Sequence, residues 1–450
     1  MIFLTGLERI VSKLPGSLNN KDIIPLIPGS PHKDCRVCVI VPVCNEARNL
    51  PKTIRALAGQ VDGSGQAVDP NCYEVLIFAN NCRDDSAAIA RSLGKTYPKL
   101  NLIVVEATLY RPIAHVGAAR RLIMNEAYRR LAAIGLNRRI IASTDGDTEV
   151  FPNWISALIN EFDKGVEAVG GRIFTHRTLD SGLSPSASLY FLRRLAHQYH
   201  AAQIEAFLDP QPHDCWPRHF QYCGANMAVL AKTYGQVGGL PLVRDEEDVA
   251  LYRRLQQVDA KIRHSLDVQV LTSARQVGRA TSGLAELLDR LTQSSQQQQA
   301  VLVEPPALTE ARILVKNQLR QVWQAVNAED TTGDSDGFVV REYAQRTGLL
   351  SQCLKLPAAQ LRETIEGAAT FGQLVEAIER QQQEDVRGEV QANTEISLAN
   401  MHLRHRVQTL RQQTKTFSRL TSESLNQCYL QGVLQALKQV QSIPLFSLRD

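Results

Sequence analysis

The sequence predicts an α/β domain followed by an all-α region, and three observations lead there. Continuously apolar runs recur through the first two-thirds of the chain, and segments of three-to-four-residue periodicity separate them. Beyond about Leu288 only the helical periodicity is left. Continuous apolar runs suit strands covered on both faces of a largely parallel sheet, and strand–helix alternation is the pattern of an α/β fold. With 450 residues, 44% of them hydrophobic, the chain can bury a sizeable core over two or three domains.

Taken in order, residues 1–35 form an extension whose "MIFLTGLERIVSKLPG" aligns Phe3, Leu7, Ile10, Val11 and Leu14 as an amphipathic helix. It lacks the basic region, apolar stretch and cleavage site of a leader. Packing on the protein body is the expected use of that face, with contact at a membrane surface as the second option. Strands are predicted at Val37–Val43, Glu74–Ala79, Leu102–Val105, Ile140–Ser143, Ala168–Phe174 and Ile262–Leu271. Helices are predicted at Ala47–Leu57, Asp85–Leu93, Ala118–Ile134 and Trp154–Phe162. The α/β domain therefore runs over 36–288. A linker over 289–306 contains the low-complexity "LTQSSQQQQA", and a helical domain covers 307–450. Its stripes pass through Leu308, Ala311, Val315, Leu319, Val322 and Val326, then Ile396, Leu403, Val407 and Leu410, then Leu430, Leu434 and Leu437. Such stripes suit core packing or self-association, a homodimer included, rather than a cofactor.

Composition narrows the partners. A net charge of +4 is far from the dense basic stripe of a nucleic-acid binder. No apolar run approaches the roughly 20 residues that span a bilayer, so no transmembrane segment is expected. Nine scattered cysteines without framework spacing indicate a reducing compartment, hence a cytoplasmic protein, with peripheral membrane contact as the variant. The single C-x-x-C, Cys35 to Cys38, has no second ligand pair, so buried thiols are expected there rather than zinc. In "TTGDSDGFVVREY", Asp334, Asp336 and Gly337 mimic a calcium loop. Tyr343 stands where the bidentate Glu is needed, which leaves a solvated loop.

In α/β sheets ligands bind beyond the carboxyl ends of the strands. After the first strand, "VPVCNEARNL" puts Asn45 and Glu46 at an exit where Pro42 is expected to stop the ladder. After the second, "ANNCRDDS" offers Asn81 and Asp84. Either turn could meet a nucleoside or simply cap a helix. "HVGAARRLIMNEA" brings Arg120 and Arg121 to the first turns of a helix, facing a diphosphate or solvent. The fourth strand ends "STDGDT". Residues i and i+2 of an extended segment point the same way, so Asp145 and Asp147 are expected to converge. Two close carboxylates need a cation, and Mg²⁺ or Mn²⁺ accepts a few carboxylates completed by phosphate and water. Further on, Gly224, Ala225 and Asn226 permit close backbone approach. Trp216 with His213 and His219 could wall an acceptor site, or form an ordinary loop. Asp245 to Asp248 then open a helix with more acid than its dipole requires, so one carboxylate could act as a general base.

The ordered set "VIVPVCNEARNL", "ANNCRDD", "STDGDT", "GANMAV" and "EEDVALYRRL" resembles the nucleotide-sugar-dependent glycosyltransferases of the GT-A fold, particularly family 2, over roughly residues 36 to 285. The resemblance implies a Rossmann-like mixed, mainly parallel sheet flanked by helices. It also implies transfer of one sugar from a UDP- or GDP-linked donor to a hydroxyl acceptor. Pro42, Val43, Asn45, Glu46, Asn81, Asp84 and Arg120 would hold the nucleotide, with Asp145 at the metal or the ribose. Asp147 would ligate Mg²⁺ or Mn²⁺, Arg275 and Arg279 of "LTSARQVGR" would face the diphosphate, and Glu247 with Asp248 would form the acidic pair, Asp248 as base. His213, Trp216, Gly224, Ala225 and Asn226 would line the acceptor site. The Q-x-x-R-W signature of processive synthases is absent, which implies a single transfer. His264 is the nearest candidate for a further metal ligand but falls inside a strand. Family 2 implies inversion, although retaining GT-A enzymes share these motifs. Two other readings compete: a nucleotidyltransferase, disfavoured because "VPVCNEARNL" has no glycine, and a non-catalytic nucleotide-sugar-binding scaffold, disfavoured by intact Asp145, Asp147 and Asp248.

Overall fold

A computed structural model of the chain describes residues 18, 23–176, 184–275, 283–332, 337–385, 394–417 and 445. The expected N-terminal helix, the stripe Leu430–Leu437, the calcium-like Asp334 and Asp336, and Arg279 lie outside these residues. Contacts divide the chain into two compact units, one of residues 1–183, 217–256 and 260–290, the other of 184–216, 257–259 and 291–450.

The first unit is built on an eight-stranded mixed sheet. Its strands are β1 (Val37–Val43), β2 (Tyr73–Asn80), β3 (Leu102–Ala107), β4 (Ile140–Ser143), β5 (Thr148–Val150), β6 (Ala168–Thr175), β7 (Met227–Leu230) and β8 (Ile262–Thr272), in the order β3-β2-β1-β4-β7-β6-β8-β5. Pairing is parallel from β3 through β4 and between β6 and β8, and antiparallel at β7 and β5. β1 and β2 are buried along their whole length, which is why they read as unbroken apolar runs. Helices α1 (Leu50–Ala58), α2 (Ser86–Thr96), α3 (Val116–Ala132) and α4 (Trp154–Asp163) follow the first strands and cover two apolar layers. α/β alternation with a mixed, mainly parallel sheet is thus the architecture found.

Three local expectations change. Pro42 does not stop the ladder. It pairs with Phe78 inside β1, beyond the point where β4 ends opposite Ile40, so its missing N–H is not demanded on that side. The short strands β5 and β7 and the long helix α5 (Pro185–Leu208) were not expected. Cys35 and Cys38 are buried as anticipated, and burial pushes the Cys35 thiol up to about 12. Cys38 stands 3.3 Å from Glu74, whose carboxylate takes a bidentate pair from Arg130 at 2.6 and 2.9 Å beneath the sheet.

The remaining first-unit helices are α6 (Ala231–Gln236) and α7 (Glu247–Gln257, whose last residue falls to the second unit). Helix α8 (Leu284–Gln296) runs into the stretch read as low-complexity. The second unit joins α5 to α9 (Pro306–Thr332), α10 (Gly337–Leu354), α11 (Ala358–Glu366), α12 (Phe371–Asp385) and α13 (Ile396–Phe417). One small departure from an all-α region is a pairing of β9 (Leu302–Val303) with β10 (Thr394–Glu395). The expected stripes lie in α9 and α13. Ala311, Val315, Leu319 and Val322 face one core, and Leu403, Val407 and Leu410 face another together with Ile204 and Leu208 of α5.

Candidate active site

The exits of β1, β2 and β3 are tied to each other. Asn45 and Asn81 both adopt positive φ, at 56° and 52°, a region asparagine tolerates better than most residues. Asn45 Oδ1 accepts the Arg83 N–H at 2.6 Å, and Asp84 Oδ2 accepts the Ala47 N–H at 3.0 Å. The Glu46 N–H donates to Ser86 Oγ at 2.8 Å, and that hydroxyl donates to Asp84 Oδ1 at 2.6 Å. Asn81 exchanges two hydrogen bonds with the Leu109 backbone, at 2.9 and 3.0 Å. These four polar side chains therefore shape the rim at the carboxyl edge of the sheet. Pro42 and Val43 are buried in it.

Asp145 and Asp147 do not converge from an extended strand. They flank Gly146 in a turn closed by the Thr148 N–H on the Asp145 carbonyl at 3.1 Å. Thr53 of α1 pins this turn through the Gly146 carbonyl at 3.1 Å. A Cβ on Gly146 would stand 3.0 Å from Val43 and 3.2 Å from Glu46, so glycine lets the turn lie against the β1 exit. Asp145 keeps partial contact with solvent, and Asp147 is largely enclosed. Burial pushes the Asp147 carboxyl up to about 6; Asp145 and Glu46 add to the shift and Arg275 opposes it.

Two arginines close the constellation. Arg275, just after β8, donates to Glu46 Oε1 at 2.8 Å and lies 3.2 Å from Asp147 Oδ2. Arg120 of α3 is buried. One of its nitrogens binds Asp145 Oδ1 at 2.5 Å and the other binds Glu247 at the start of α7. Burial works against the Arg120 charge, but Glu247, Asp145 and Asp248 more than offset it and hold its pKa above the ordinary value. The guanidinium lies directly on Gly224, where any Cβ would collide with it. Gly224 is fixed in turn, its carbonyl by Ser143 at 2.7 Å and its N–H by Asp248 Oδ2 at 2.8 Å. The second Asp248 oxygen accepts the Val249 N–H at 2.8 Å. The two acidic motifs, about a hundred residues apart in sequence, thus meet on one side chain.

Other expected residues fall elsewhere. Arg120 meets carboxylates inside the protein, not an open helix face, and Arg121 donates to the Leu240 carbonyl. Asn226 is buried: it accepts from the Trp154 indole at 2.9 Å and donates to the Arg172 and Val268 carbonyls at 3.1 Å, so it is committed to the sheet and does not face an acceptor. His219 is buried as well, with both ring nitrogens in hydrogen bonds, to the Ser265 carbonyl and the Gln221 N–H. Gly224 is buried and Ala225 half-buried. His213 and Trp216 belong to the helical unit, where Trp216 meets Tyr199 edge-on at 5.4 Å. His264 packs edge-on against His219 and Tyr252, eight residues along β8 from Thr272, the partner of Thr148. At about 3.3 Å per residue it lies on the order of 20 Å from the Asp147 turn, too far to share a metal.

Among the described residues no group of three or more His, Cys, Asp or Glu side chains could cage a metal ion. The Asp145–Asp147 turn still fits a hard cation. Its donors are all carboxylate oxygens, and its excess negative charge is met here by Arg120 and Arg275. Magnesium-type sites commonly use one or two carboxylates and complete the shell with phosphate and water.

With this geometry in place, likenesses to known proteins can be set beside it. The Glycosyl transferase family 2 model matches residues 38–207. A curated relative, the glycosyltransferase AglE of Haloferax volcanii, is 28% identical over 142 residues, 31% of this chain, which spans 40% of that relative's length. The mannosyltransferase PcManGT from Pyrobaculum calidifontis, solved with GDP-Man and Mn²⁺, is 15% identical, covering 96% of this chain and 92% of its own, with a TM-score of 0.33. The TarS crystal structure from S. aureus is 12% identical over 57% and 42%, with a TM-score of 0.37. At such values neither structure bears on donor or metal here. The family match ends before Glu247, Asp248 and Arg275, so those three rest on geometry. The match over residues 38–207 takes in the first three of the five ordered motifs, from "VIVPVCNEARNL" to "STDGDT", and likens that part of the chain to Glycosyl transferase family 2.

Proposed function

We propose that this protein transfers one sugar from a UDP- or GDP-linked donor to a hydroxyl acceptor, with inversion and with a divalent cation. The observation that carries the reading is Arg120 joining the Asp145 turn to Glu247 of the acidic pair of α7, which supports one site with Asp145 on its diphosphate side and the pair on its acceptor side. Asp145 and Asp147 would hold Mg²⁺ or Mn²⁺, which supplies positive charge to the departing β-phosphate. Arg275, which stands between Glu46 and Asp147, would contribute a second positive charge there. Asp248 takes the acceptor proton as the hydroxyl oxygen forms its bond to the anomeric carbon and the carbon–oxygen bond to phosphate breaks. Backbone N–H groups on both its oxygens fix its orientation and leave a lone pair for that proton. Burial raises the Glu247 carboxyl and Arg120 pulls it back, so Glu247 serves as the anchor of the pair.

Two measurements test this. Calorimetric titration with UDP and GDP, with and without Mn²⁺, should show metal-dependent affinity that Asp147→Ala lowers at least about tenfold. Unchanged affinity would remove the metal assignment. Asp248→Asn should retain donor binding while donor turnover with acceptor falls by about 10²-fold or more. Normal turnover in that variant would put the base elsewhere.

A further inference from the structure

We infer that the outer face of the α5–α13 helix pair docks on an anionic membrane surface. Six of the exposed large hydrophobic residues among those described lie in this part of the helical unit: Leu189, Leu192 and Tyr199 on α5, Leu398 and Met401 on α13, and Leu302 on β9. Only Ile24, Tyr110 and Val258 lie elsewhere. Met401 and Leu192 are the most open, at 58% and 51%. Soluble surfaces scatter such residues singly, and a contiguous apolar set marks an interaction site.

The set is contiguous because of how the helices pack. Asn400 of α13 donates to the Arg193 carbonyl of α5 at 2.8 Å, and Arg411 lies beside the Gln203 amide. The two helices therefore run parallel. Ile204 and Leu208 of α5, and Leu403, Val407 and Leu410 of α13, turn toward Ile313 and Leu314 of α9. At about 100° per residue, each helix shows in turn a side toward α9, a side toward its neighbour, and its apolar stripe. The order runs in opposite senses on the two helices, so both stripes lie on the face turned away from α9. Leu302 joins the set through β9, which pairs with the two residues just before α13, Leu302 standing opposite Glu395.

Charge selects the occupant. α13 carries Arg404, Arg406 and Arg411 and no Asp or Glu along its length, and α5 carries Arg193 and Arg194 against Glu205 alone. Arg406 is paired with Glu310 of α9, while Arg404 and Arg411 stand near His200 between the helices. An apolar stripe flanked by arginines suits acyl chains and anionic headgroups together. A second copy of the chain on this face would set arginines against arginines. The inference is independent of the transferase chemistry, because it uses no residue of the sheet unit.

The full chain should be sedimented with vesicles of phosphatidylcholine alone and with about 30 mol% phosphatidylglycerol. Binding is expected only to the anionic vesicles, weakened at about 0.5 M salt. The pair Leu192→Glu with Met401→Glu should lower it at least about tenfold, and Arg404→Glu should lower it less. Circular dichroism and nucleotide binding report that these surface variants remain folded. No binding to anionic vesicles would overturn the proposal. So would binding that both variants leave intact, or a concentration-dependent dimer abolished by the Leu192/Met401 pair.

Discussion

Helix α3 carries two buried arginines, ten residues and so about 15 Å apart, that use one chemistry for different ends. Arg130 sets Nε and one arm on a single carboxylate, Glu74 of β2, and gives the other arm to the Pro28 and Gly29 carbonyls; both charged partners are enclosed. Arg120 divides its arms between Asp145, which keeps contact with water, and Glu247, which does not. The first arrangement neutralises one enclosed carboxylate and holds the helix to the sheet and to the backbone at Pro28 and Gly29. The second bridges two carboxylates from separate segments, and it leaves one of them facing outward. Burial alone does not separate a structural ion pair from a site. What separates them here is how many carboxylates the cation serves and whether one of them remains accessible.

The comparison breaks most visibly at Arg130. Arg130→Met leaves the Glu74 carboxylate uncompensated among apolar neighbours and should cost about 3–5 kcal/mol. Urea denaturation followed by circular dichroism measures this. Adding Glu74→Leu should recover most of the loss, because the stranded charge goes with it. A single variant as stable as the parent would mean that Glu74 finds another partner, and Arg130 would no longer serve as the structural reference.

Much of this could be read from the chain beforehand, for physical reasons that also explain the rest. β1 and β4 were legible to the residue because burial on both faces makes them uninterrupted apolar runs between polar turns. β5 and β7 are three and four residues long and carry too little periodicity to stand out. α5 is different. Its exposed face is apolar and its core side includes His197 and Gln203, so amphipathic patterning fails. The signal that could have found it is local: Ser184 caps the helix by accepting the Ala187 N–H at 3.1 Å, and Pro185 follows at the first helical position. At the site, Asp145, Asp147, Glu247 and Asp248 stood out as charges just beyond apolar segments or at a helix start. The role of Arg120 did not. Its partners lie 25 and 127 residues away, and spacing in sequence carries no record of such a meeting. Asn226 misled for the converse reason: an amide at a strand exit looks available, although here three hydrogen bonds, to Trp154, Arg172 and Val268, occupy it.

A smaller loss is expected at Arg120, and its form sharpens the contrast. Arg120→Met should cost about 1–3 kcal/mol, less than Arg130→Met, since Asp145 can be hydrated once released. On the proposed mechanism the change in turnover should be the larger, a fall of about 10²-fold in kcat with donor affinity held within about threefold, because Glu247 and the Asp145 turn lose their common anchor. Arg120→Lys distinguishes positioning from charge. An ammonium is a point charge that cannot fork between Asp145 and Glu247, so stability should return while turnover stays low. Denaturation curves, donor titration and single-turnover rates on the same two variants provide the readout. If lysine restores both stability and turnover, a single positive charge suffices at this end of α3, and Arg120 then differs from Arg130 only in the solvent exposure of a partner, Asp145.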